Sequence, residues 1–181
     1  MGGVISMKAT AREMVILGII VISILVGGQY AKGHMQTFEV DGESMLPTLH
    51  DGDRILSNTK NITVENLYIG DIVIIEIEPK FYVVKRIIAK GNQTVEIREG
   101  QLYVDDKIVR EPFINEWETG FRPADLGRVR VPEGYIFVLG DNRLHSSDSR
   151  EFGYINPSIV KGKVTYIMWP FKRMTKLEEE E

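Results

Sequence analysis

Between residues 81 and 89 the chain reads Phe81-Tyr82-Val83-Val84-Lys85-Arg86-Ile87-Ile88-Ala89. β-Branched and aromatic residues dominate this stretch, which is the composition expected of a β-strand. Two adjacent cations interrupt it. Because successive side chains of a strand point to opposite faces, Lys85 and Arg86 are expected to point in opposite directions, one into solvent and the other inward. The stretch therefore predicts a strand in which one buried charge needs an explanation.

Similar short runs, separated by turn residues, follow residue 34 and indicate an all-β domain. They predict strands at Met35–Val40, Arg54–Ser57, Ile72–Ile77, Tyr82–Ala89, Thr94–Arg98, Gln101–Val104, Arg128–Val131, Tyr135–Gly140 and Lys163–Trp169. Pairs such as Gly91-Asn92 and Glu99-Gly100 between them suit tight hairpin turns. No helical periodicity of useful length appears in this part. The expected fold class is mainly β, with a single β-rich domain over residues 35–175.

The N-terminal part differs, because residues 14–26 are apolar apart from one glycine and one serine. Extended to residue 31, the run has 18 residues and would measure roughly 27 Å as a helix, close to a hydrocarbon core of about 30 Å. It lacks the polar stripe of a buried soluble helix. We therefore predict one N-terminal transmembrane helix, an anchor at 14–31. A cleavable signal peptide is the alternative, because Lys8 and Arg12 precede the run and Gln29-Tyr30-Ala31 ends in a small residue.

Charge and composition exclude several classes of function. The net charge of −4 comes from Glu178–Glu181, within an acidic tail at 176–181, and the remaining chain has 22 basic and 22 acidic residues. Such a balance offers no basic surface for nucleic acid. The absence of cysteine excludes disulfides, thiolate metal sites and cysteine nucleophiles. His34, His50 and His145 lack metal-ligand spacing, so neither a metal nor another cofactor is expected.

Ser44 lies in a segment that follows the first predicted strand, Asp41–Leu49. The simplest interpretation is an ordinary turn serine. Pro47, however, stiffens the loop, and Gly42 lets a peptide backbone pass close by. Met45 beside the serine would suit a shallow hydrophobic subsite. Ser44 is therefore a candidate nucleophile.

A serine hydroxyl needs a base, and Lys85 is the candidate that the apolar strand provides. An unperturbed lysine titrates near 10.4, but burial can lower its pKa by as much as about 3–5 units. The neutral amine could then take the Ser44 proton and later protonate the leaving amine. Two alternatives stand beside this: an ordinary exposed lysine, and a histidine base, His145 with Asp141 or Asp148.

Two loop-like segments remain. Residues 140–153 are dense in short hydrogen-bonding side chains and longer than a plain turn needs. A loop that holds a catalytic lysine requires such hydroxyl and carboxylate groups. Residues 112–127 contain two prolines and two glycines. A connection of that length is usually functional or mobile, and we assign it no role beyond covering part of the sheet.

Together these segments resemble the bacterial type I signal peptidases. The anchor and four motifs occur in the family's order: Gly42–Thr48, Gly70–Val73, Val84–Arg86 and Gly140–Arg150. The resemblance implies a membrane-bound serine endopeptidase that removes signal peptides, with Ser44 as nucleophile and Lys85 as base. Endoplasmic-reticulum members carry histidine in place of Lys85, which puts this chain on the bacterial side.

The resemblance also implies roles for the remaining site residues. Ser146 would orient the Lys85 amine, Asp148 and Arg150 would form a supporting ion pair, and Ser149 would be structural. The Ser44 N–H would donate to the oxyanion. Some members supply a second donor from a serine two residues earlier, where this chain has Gly42. Substrates of the family carry small residues at the first and third positions before the cut, and the candidate pocket walls are Met45, Val83 and Val84.

Charges near the anchor predict the topology, and the resemblance implies the partners. Residues 1–13 would be cytoplasmic, since Lys8 and Arg12 favour the inner side. Residues 35–175 would form an extracytoplasmic peptidase domain at the cell membrane. The expected partners are signal peptides of exported preproteins, the lipid bilayer and a secretion translocon.

Two other functions stay open. A self-cleaving regulator with the same serine–lysine pair would usually carry a DNA-binding module rather than an anchor. An inactive relative could serve as a subunit of the secretion machinery. The intact Ser44, Lys85, Ser146 and Asp148 argue against this second alternative.

Overall fold

The computed structural model describes residues 15–23, 34–112, 114 and 126–177. The chain forms two compact units, Met1–Met35 and Gln36–Glu181. In the first unit residues 15–23 form helix α1. Residue 14 and residues 24–31 of the predicted anchor lie outside the described part. Within the described residues, no helix has both the length and the apolar character needed to cross a membrane.

The body of the protein is mainly β, as predicted. The described strands are β1 (Met35–Glu39), β2 (Arg54–Asn58), β3 (Ile72–Glu78), β4 (Phe81–Lys90), β5 (Thr94–Arg98), β6 (Gln101–Val104), β7 (Lys107–Ile108), β8 (Leu126–Arg130), β9 (Ile136–Leu139), β10 (Val160–Trp169) and β11 (Thr175–Lys176). A one-turn helix α2 (Ser149–Phe152) and two 3-10 turns, Pro157–Ile159 and Phe171–Arg173, complete the described elements.

All nine strands predicted from the sequence are present, with ends shifted by at most three residues. The sequence did not indicate β7 and β11, because two residues are too few to show an alternating pattern. Helix α2 was also not predicted, since a single turn carries no helical periodicity. Its N-terminus is capped by the Asp148 side chain, which accepts from the Arg150 N–H.

The strands form two sheets. The larger has seven strands in the order β1-β2-β10-β3-β4-β9, with β11 paired to β10, and the smaller has the order β7-β6-β5-β8. Among strands that are consecutive in the chain, β3–β4, β5–β6, β6–β7 and β10–β11 pair antiparallel, while β10 returns late to lie between β2 and β3. This order places β4 inside the larger sheet, between β3 and β9.

Three buried apolar clusters hold these sheets. One lies where β4 and β9 meet the smaller sheet and includes Val95, Leu102 and Phe137. A second, which we call the Met45 cluster, joins Met45 and Leu49 to residues of β2, β3 and β10. The third joins β3, β4 and β9 with residues outside them such as Leu67 and Ile155. Strand β4 contributes residues to all three, and its side chains from Lys85 to Ala89 are buried on both faces of the sheet.

Only four residues of the predicted loop at 112–127 belong to the described part of the chain. Residues 113 and 115–125 lie outside the described part. Ile114 is buried, and residues 126 and 127 already belong to β8.

Candidate active site

Ser44 lies in a turn that two buried side chains fix to the core. Met45 and Leu49 are 1% and 0% exposed and belong to the Met45 cluster, and the Leu49 N–H donates to the Met45 carbonyl over 2.9 Å. Before the serine, Gly42 has a φ of +94°, a conformation that favours glycine. Its N–H donates to Asp51 over 2.8 Å. The core contacts therefore fix the turn in place and leave Ser44 partly exposed.

Lys85 on β4 reaches this serine. Its side chain is buried, with 3% of the residue exposed, and Nζ lies 2.9 Å from Ser44 Oγ. The same nitrogen donates to the Val84 carbonyl, also over 2.9 Å. Two residues that are 41 positions apart in the chain are thus in hydrogen-bond contact.

Burial changes the acidity of this amine. Removal from water lowers the pKa of Lys85 from 10.5 to about 8, against the opposing effect of the Asp148 and Asp141 carboxylates, while Arg150 lowers it further. The amine is therefore partly neutral near physiological pH. A neutral amine beside a hydroxyl can accept its proton.

The loop at 140–150 begins beside Lys85 because β9 pairs with β4. In that register Leu139 lies opposite Arg86, so the next residues of the chain run past the part of β4 that carries Lys85. The Asn142 N–H donates to the Ser44 carbonyl over 3.0 Å, and its side-chain amide donates to the Glu43 carbonyl over 3.1 Å. These bonds tie the loop to the turn that carries Ser44.

Asp148 and Arg150 form a close ion pair inside this loop. Arg150 donates from Nε and Nη2 to the two oxygens of Asp148, each over 2.8 Å, and Asp148 also accepts from the Gly140 N–H over 3.0 Å. Burial would raise the pKa of Asp148, but these bonds outweigh it and hold the pKa below its usual value. Ser149 Oγ accepts from the Val138 N–H over 3.0 Å, which links α2 to β9.

Ser146 has a hydroxyl that is buried without a regular hydrogen bond among the described residues. It nevertheless lies near enough to Asp148 to help lower the pKa of that carboxyl. Lys85 donates to Ser44 and Val84 rather than to this hydroxyl. The Ser146 side chain packs on Gly140, where an added Cβ would collide with it.

Arg86 is buried as well, so the expectation that one of the two adjacent cations is solvated is wrong. Only 7% of Arg86 is exposed, because β4 is covered on both faces. Its guanidinium donates to both oxygens of Asp141, over 2.8 and 2.7 Å, and to the Gly70 carbonyl over 2.9 Å. Thr48 donates to the same carboxylate over 2.5 Å. A buried arginine with a bidentate partner satisfies its charge.

This cluster was missed from the sequence, although a signal existed. Asp141 lies two residues after the strand Ile136–Leu139, which has to pair with an apolar neighbour such as β4. Any charge on the adjoining face of β4 would then find an acid at that strand end. Recognising this requires the strand order, and the order cannot be read from local patterns.

The residues proposed as pocket walls do not share one environment. Met45 lies within its cluster and Val84 packs against it, whereas Val83 packs against the third cluster. Val83 and Val84 are partly exposed, so both have surface that a ligand could contact. Met45 is almost fully covered.

The histidine alternative finds no support in this arrangement. His145 is exposed. Asp141 and Asp148 each bind an arginine, Arg86 and Arg150 respectively. Within the described part of the chain, no group of three or more His, Cys, Asp or Glu side chains is placed to hold a metal ion.

Comparison with known proteins agrees with this geometry. Residues 11–169 match the family model described as signal peptidase, peptidase S26. Signal peptidase I T of Bacillus subtilis (strain 168) is 37% identical over 163 residues, which cover 86% of this chain and 84% of that protein. Signal peptidase IB of Staphylococcus aureus (strain COL) is 36% identical over 148 residues, covering 74% and 78%.

A solved structure is similar too. The crystal structure of a signal peptidase I from Enterococcus faecalis V583 superposes with a TM-score of 0.50 at 30% identity, covering 55% of this chain and 97% of that one. The family model spans most of the chain, and the relatives match over most of their own lengths. The chain therefore belongs to the signal peptidase family, peptidase S26, and is a serine peptidase.

Proposed function

We propose that this protein is a membrane-bound endopeptidase that cleaves N-terminal signal peptides from exported preproteins, with Ser44 as nucleophile and Lys85 as general base. The observation that carries the proposal is the 2.9 Å contact between the buried Lys85 amine and Ser44 Oγ. The names of the relatives, signal peptidases I, support the substrate class.

In the proposed reaction neutral Lys85 removes the Ser44 proton while Ser44 Oγ attacks the carbonyl carbon of the scissile bond. The resulting oxyanion accepts from the Ser44 N–H, a type of contact worth about 2.7–4 kcal/mol in other proteases. Protonated Lys85 then gives its proton to the leaving amine, and the C–N bond breaks to leave an ester on Ser44. Water hydrolyses this ester with Lys85 again as base, which restores the serine.

The loop residues take supporting roles in this proposal. The Asp148–Arg150 pair and Ser149 hold the loop against β9. The Ser146 hydroxyl makes no regular hydrogen bond among the described residues and lies close to Asp148, so it is available to orient the Lys85 amine when a substrate displaces the contact of Lys85 with Ser44. Met45, Val83 and Val84 remain the proposed walls for small side chains at the first and third positions before the cut.

Membrane attachment is proposed from the sequence. The apolar run at 14–31 is long enough for a single span, with residues 1–13 in the cytoplasm and the β-domain outside. The bilayer and a secretion translocon would then be partners, because the substrates emerge at the same membrane.

The experiment that tests the function uses the full chain in detergent and a precursor with an Ala-x-Ala site. Mass spectrometry of the products should locate one cut after the second alanine. A matched precursor with tryptophan in place of that alanine should stay intact, since the proposed pocket accepts only small side chains. If a folded sample cuts neither precursor under conditions where an active peptidase cuts the first, the proposal fails and the inactive-subunit alternative replaces it.

The pH dependence of cleavage should follow Lys85. Its pKa of about 8 means that about a tenth of the amine is neutral at pH 7, and nearly all of it at pH 9. We expect kcat/KM to rise roughly tenfold over this interval, because only the neutral amine accepts the serine proton. Initial rates measured in buffers of constant ionic strength would show the rise, and a rate independent of pH between 6 and 10 would rule Lys85 out as the base.

Gly140→Ala should impair cleavage strongly. A Cβ at this position would lie 2.5 Å from the Ser44 carbonyl oxygen and would also overlap the Ser146 side chain. The backbone that carries Ser44 must then move, and a displacement near 1 Å costs on the order of 10²-fold in rate. We expect kcat/KM to fall by about that factor.

Gly127→Ala is the matched control for this measurement. Among the described residues, an added Cβ there meets nothing within 4 Å, so activity should be unchanged. Wild-type activity in Gly140→Ala would mean that the contact between Gly140, Ser146 and the Ser44 turn does not matter for the reaction.

A further inference from the structure

One buried ion pair links the end of the smaller sheet to the loop at 140–150. Glu111, three residues after β7, binds Arg143 through both carboxylate oxygens, with 3.0 Å between Arg143 Nη1 and Glu111 Oε2. The two side chains are 3% and 12% exposed, Arg143 being the more buried. Buried bidentate pairs of this kind fix geometry as well as charge.

Two hydrogen bonds of Gly140 connect the Glu111–Arg143 pair to the site. Arg143 Nε donates to the Gly140 carbonyl over 3.0 Å, while the Gly140 N–H donates to Asp148 over 3.0 Å. Gly140 also packs against Ser146 and the Ser44 carbonyl without room for a Cβ. A shift of Gly140 would therefore move both the loop and the Ser44 turn. Arg143 fixes the position of Gly140 through the hydrogen bond to its carbonyl.

We propose that Glu111 is a positioning residue for peptide cleavage, acting through Arg143 and Gly140 on the loop that carries Ser146, Asp148 and Arg150. This inference rests on the proposed roles of Ser44 and Lys85. The buried ion pair with Arg143 explains why Glu111, which lies outside the four sequence motifs, should affect cleavage. Removing the Glu111 carboxylate takes a bidentate counter-charge away from the buried Arg143, and the surrounding structure shifts or admits water.

Lys85 should report such a shift. The charged groups that act on it are Asp148, Asp141 and Arg150, all three on the loop, and burial is the dominant effect on its pKa. Burial is also the largest effect on Glu111 and raises the pKa of its carboxyl. Arg143 and Arg86 act to lower that pKa, and Asp141 acts to raise it. If the loop loosens, water reaches the Lys85 amine and its pKa rises towards the ordinary value.

The test compares Glu111→Gln with Asp106→Asn in the full chain. Asp106 makes a bidentate pair with Arg128 on the same sheet, at 2.6 and 2.8 Å, but more than half of each side chain is exposed. We expect Glu111→Gln to shift the alkaline rise of kcat/KM upward by about one pH unit, which lowers the rate at pH 7 about tenfold and restores it above pH 10. Asp106→Asn should superimpose on wild type, because exposed pairs contribute little.

A second readout needs no turnover. The pKa of Lys85 can be measured by NMR of lysine labelled with ¹³C at Cε, with the signal assigned by its absence in Lys85→Met. An upward shift of the Lys85 pKa in Glu111→Gln but not in Asp106→Asn supports the positioning role. This holds even where wild type fails to cleave the precursor and the proposed function falls. An unshifted Lys85 pKa, or a rate lowered equally at every pH, overturns it. Arg143→Lys, which keeps the charge but loses the bidentate fork, should shift the pKa in the same direction and serves if Glu111→Gln does not fold.

Discussion

Ser44→Ala should abolish precursor cleavage, with kcat lowered by a factor on the order of 10⁶, the loss seen when the nucleophile of another serine protease is removed. Without Oγ no ester forms on the enzyme, and the Lys85 amine has no proton to remove. What remains is the Ser44 N–H as an oxyanion donor, which accelerates the attack of water only weakly. The fold should persist, because Met45 and Leu49 rather than Ser44 anchor the turn in the core.

The assay for Ser44→Ala is precursor turnover at high enzyme concentration over several days, since the expected rate is very low. Ser147→Ala is the matched control: this serine lies in the neighbouring loop, is exposed, and bonds to Glu151 rather than to the site. It should cleave at the wild-type rate. More than about 1% residual activity in Ser44→Ala, measured on a sample free of other peptidases, would assign the nucleophile to another residue.

Lys85→Met should lower kcat by about 10⁴, the upper end of the range for removing a general base. Methionine has nearly the same length and no charge, so it suits a side chain that is 3% exposed. The remaining slow reaction should also lose the rise of rate between pH 7 and 9, because the group that titrates there is gone. Stopped assays across that pH range would show both effects.

The same substitution should stabilise the fold at neutral pH. The folded-state pKa of Lys85, about 8, lies below its ordinary value of 10.5. The folded chain therefore holds a disfavoured ammonium at pH 7, and its stability rises as pH increases from about 8 to 10.5. Methionine carries no such penalty, so thermal unfolding of Lys85→Met at pH 7 should occur at a higher temperature than in wild type.

Lys90→Met provides the control for the cleavage rate and for its pH profile. Lys90 lies on the same strand and donates to the Leu67 carbonyl, away from Ser44. It should retain wild-type cleavage and the normal pH profile. If Lys85→Met kept that profile instead, the base would have to be sought elsewhere in the chain.

Much of the fold could be predicted, because its signals are local. β-Branched runs, the alternation of side chains along each run and turn pairs such as Gly91-Asn92 depend on residues next to one another, and all nine predicted strands were present. The two-residue strands β7 and β11 and the single turn of α2 were not predicted, since their pairing or capping depends on partners rather than on a pattern.

For the site, the sequence by itself determined which residues are chemically suited to the reaction: a serine on a stiffened turn, a lysine in an apolar strand, and a loop dense in hydroxyls and carboxylates. Only the tertiary structure decided which of them meet. The 2.9 Å contact of Lys85 with Ser44, the pairing of Arg86 with Asp141 and that of Glu111 with Arg143 join residues 41, 55 and 32 positions apart. Such partners are selected by strand order and register, which no local pattern encodes. For the two buried arginines, the need of a buried charge for a counter-charge also selects the partner.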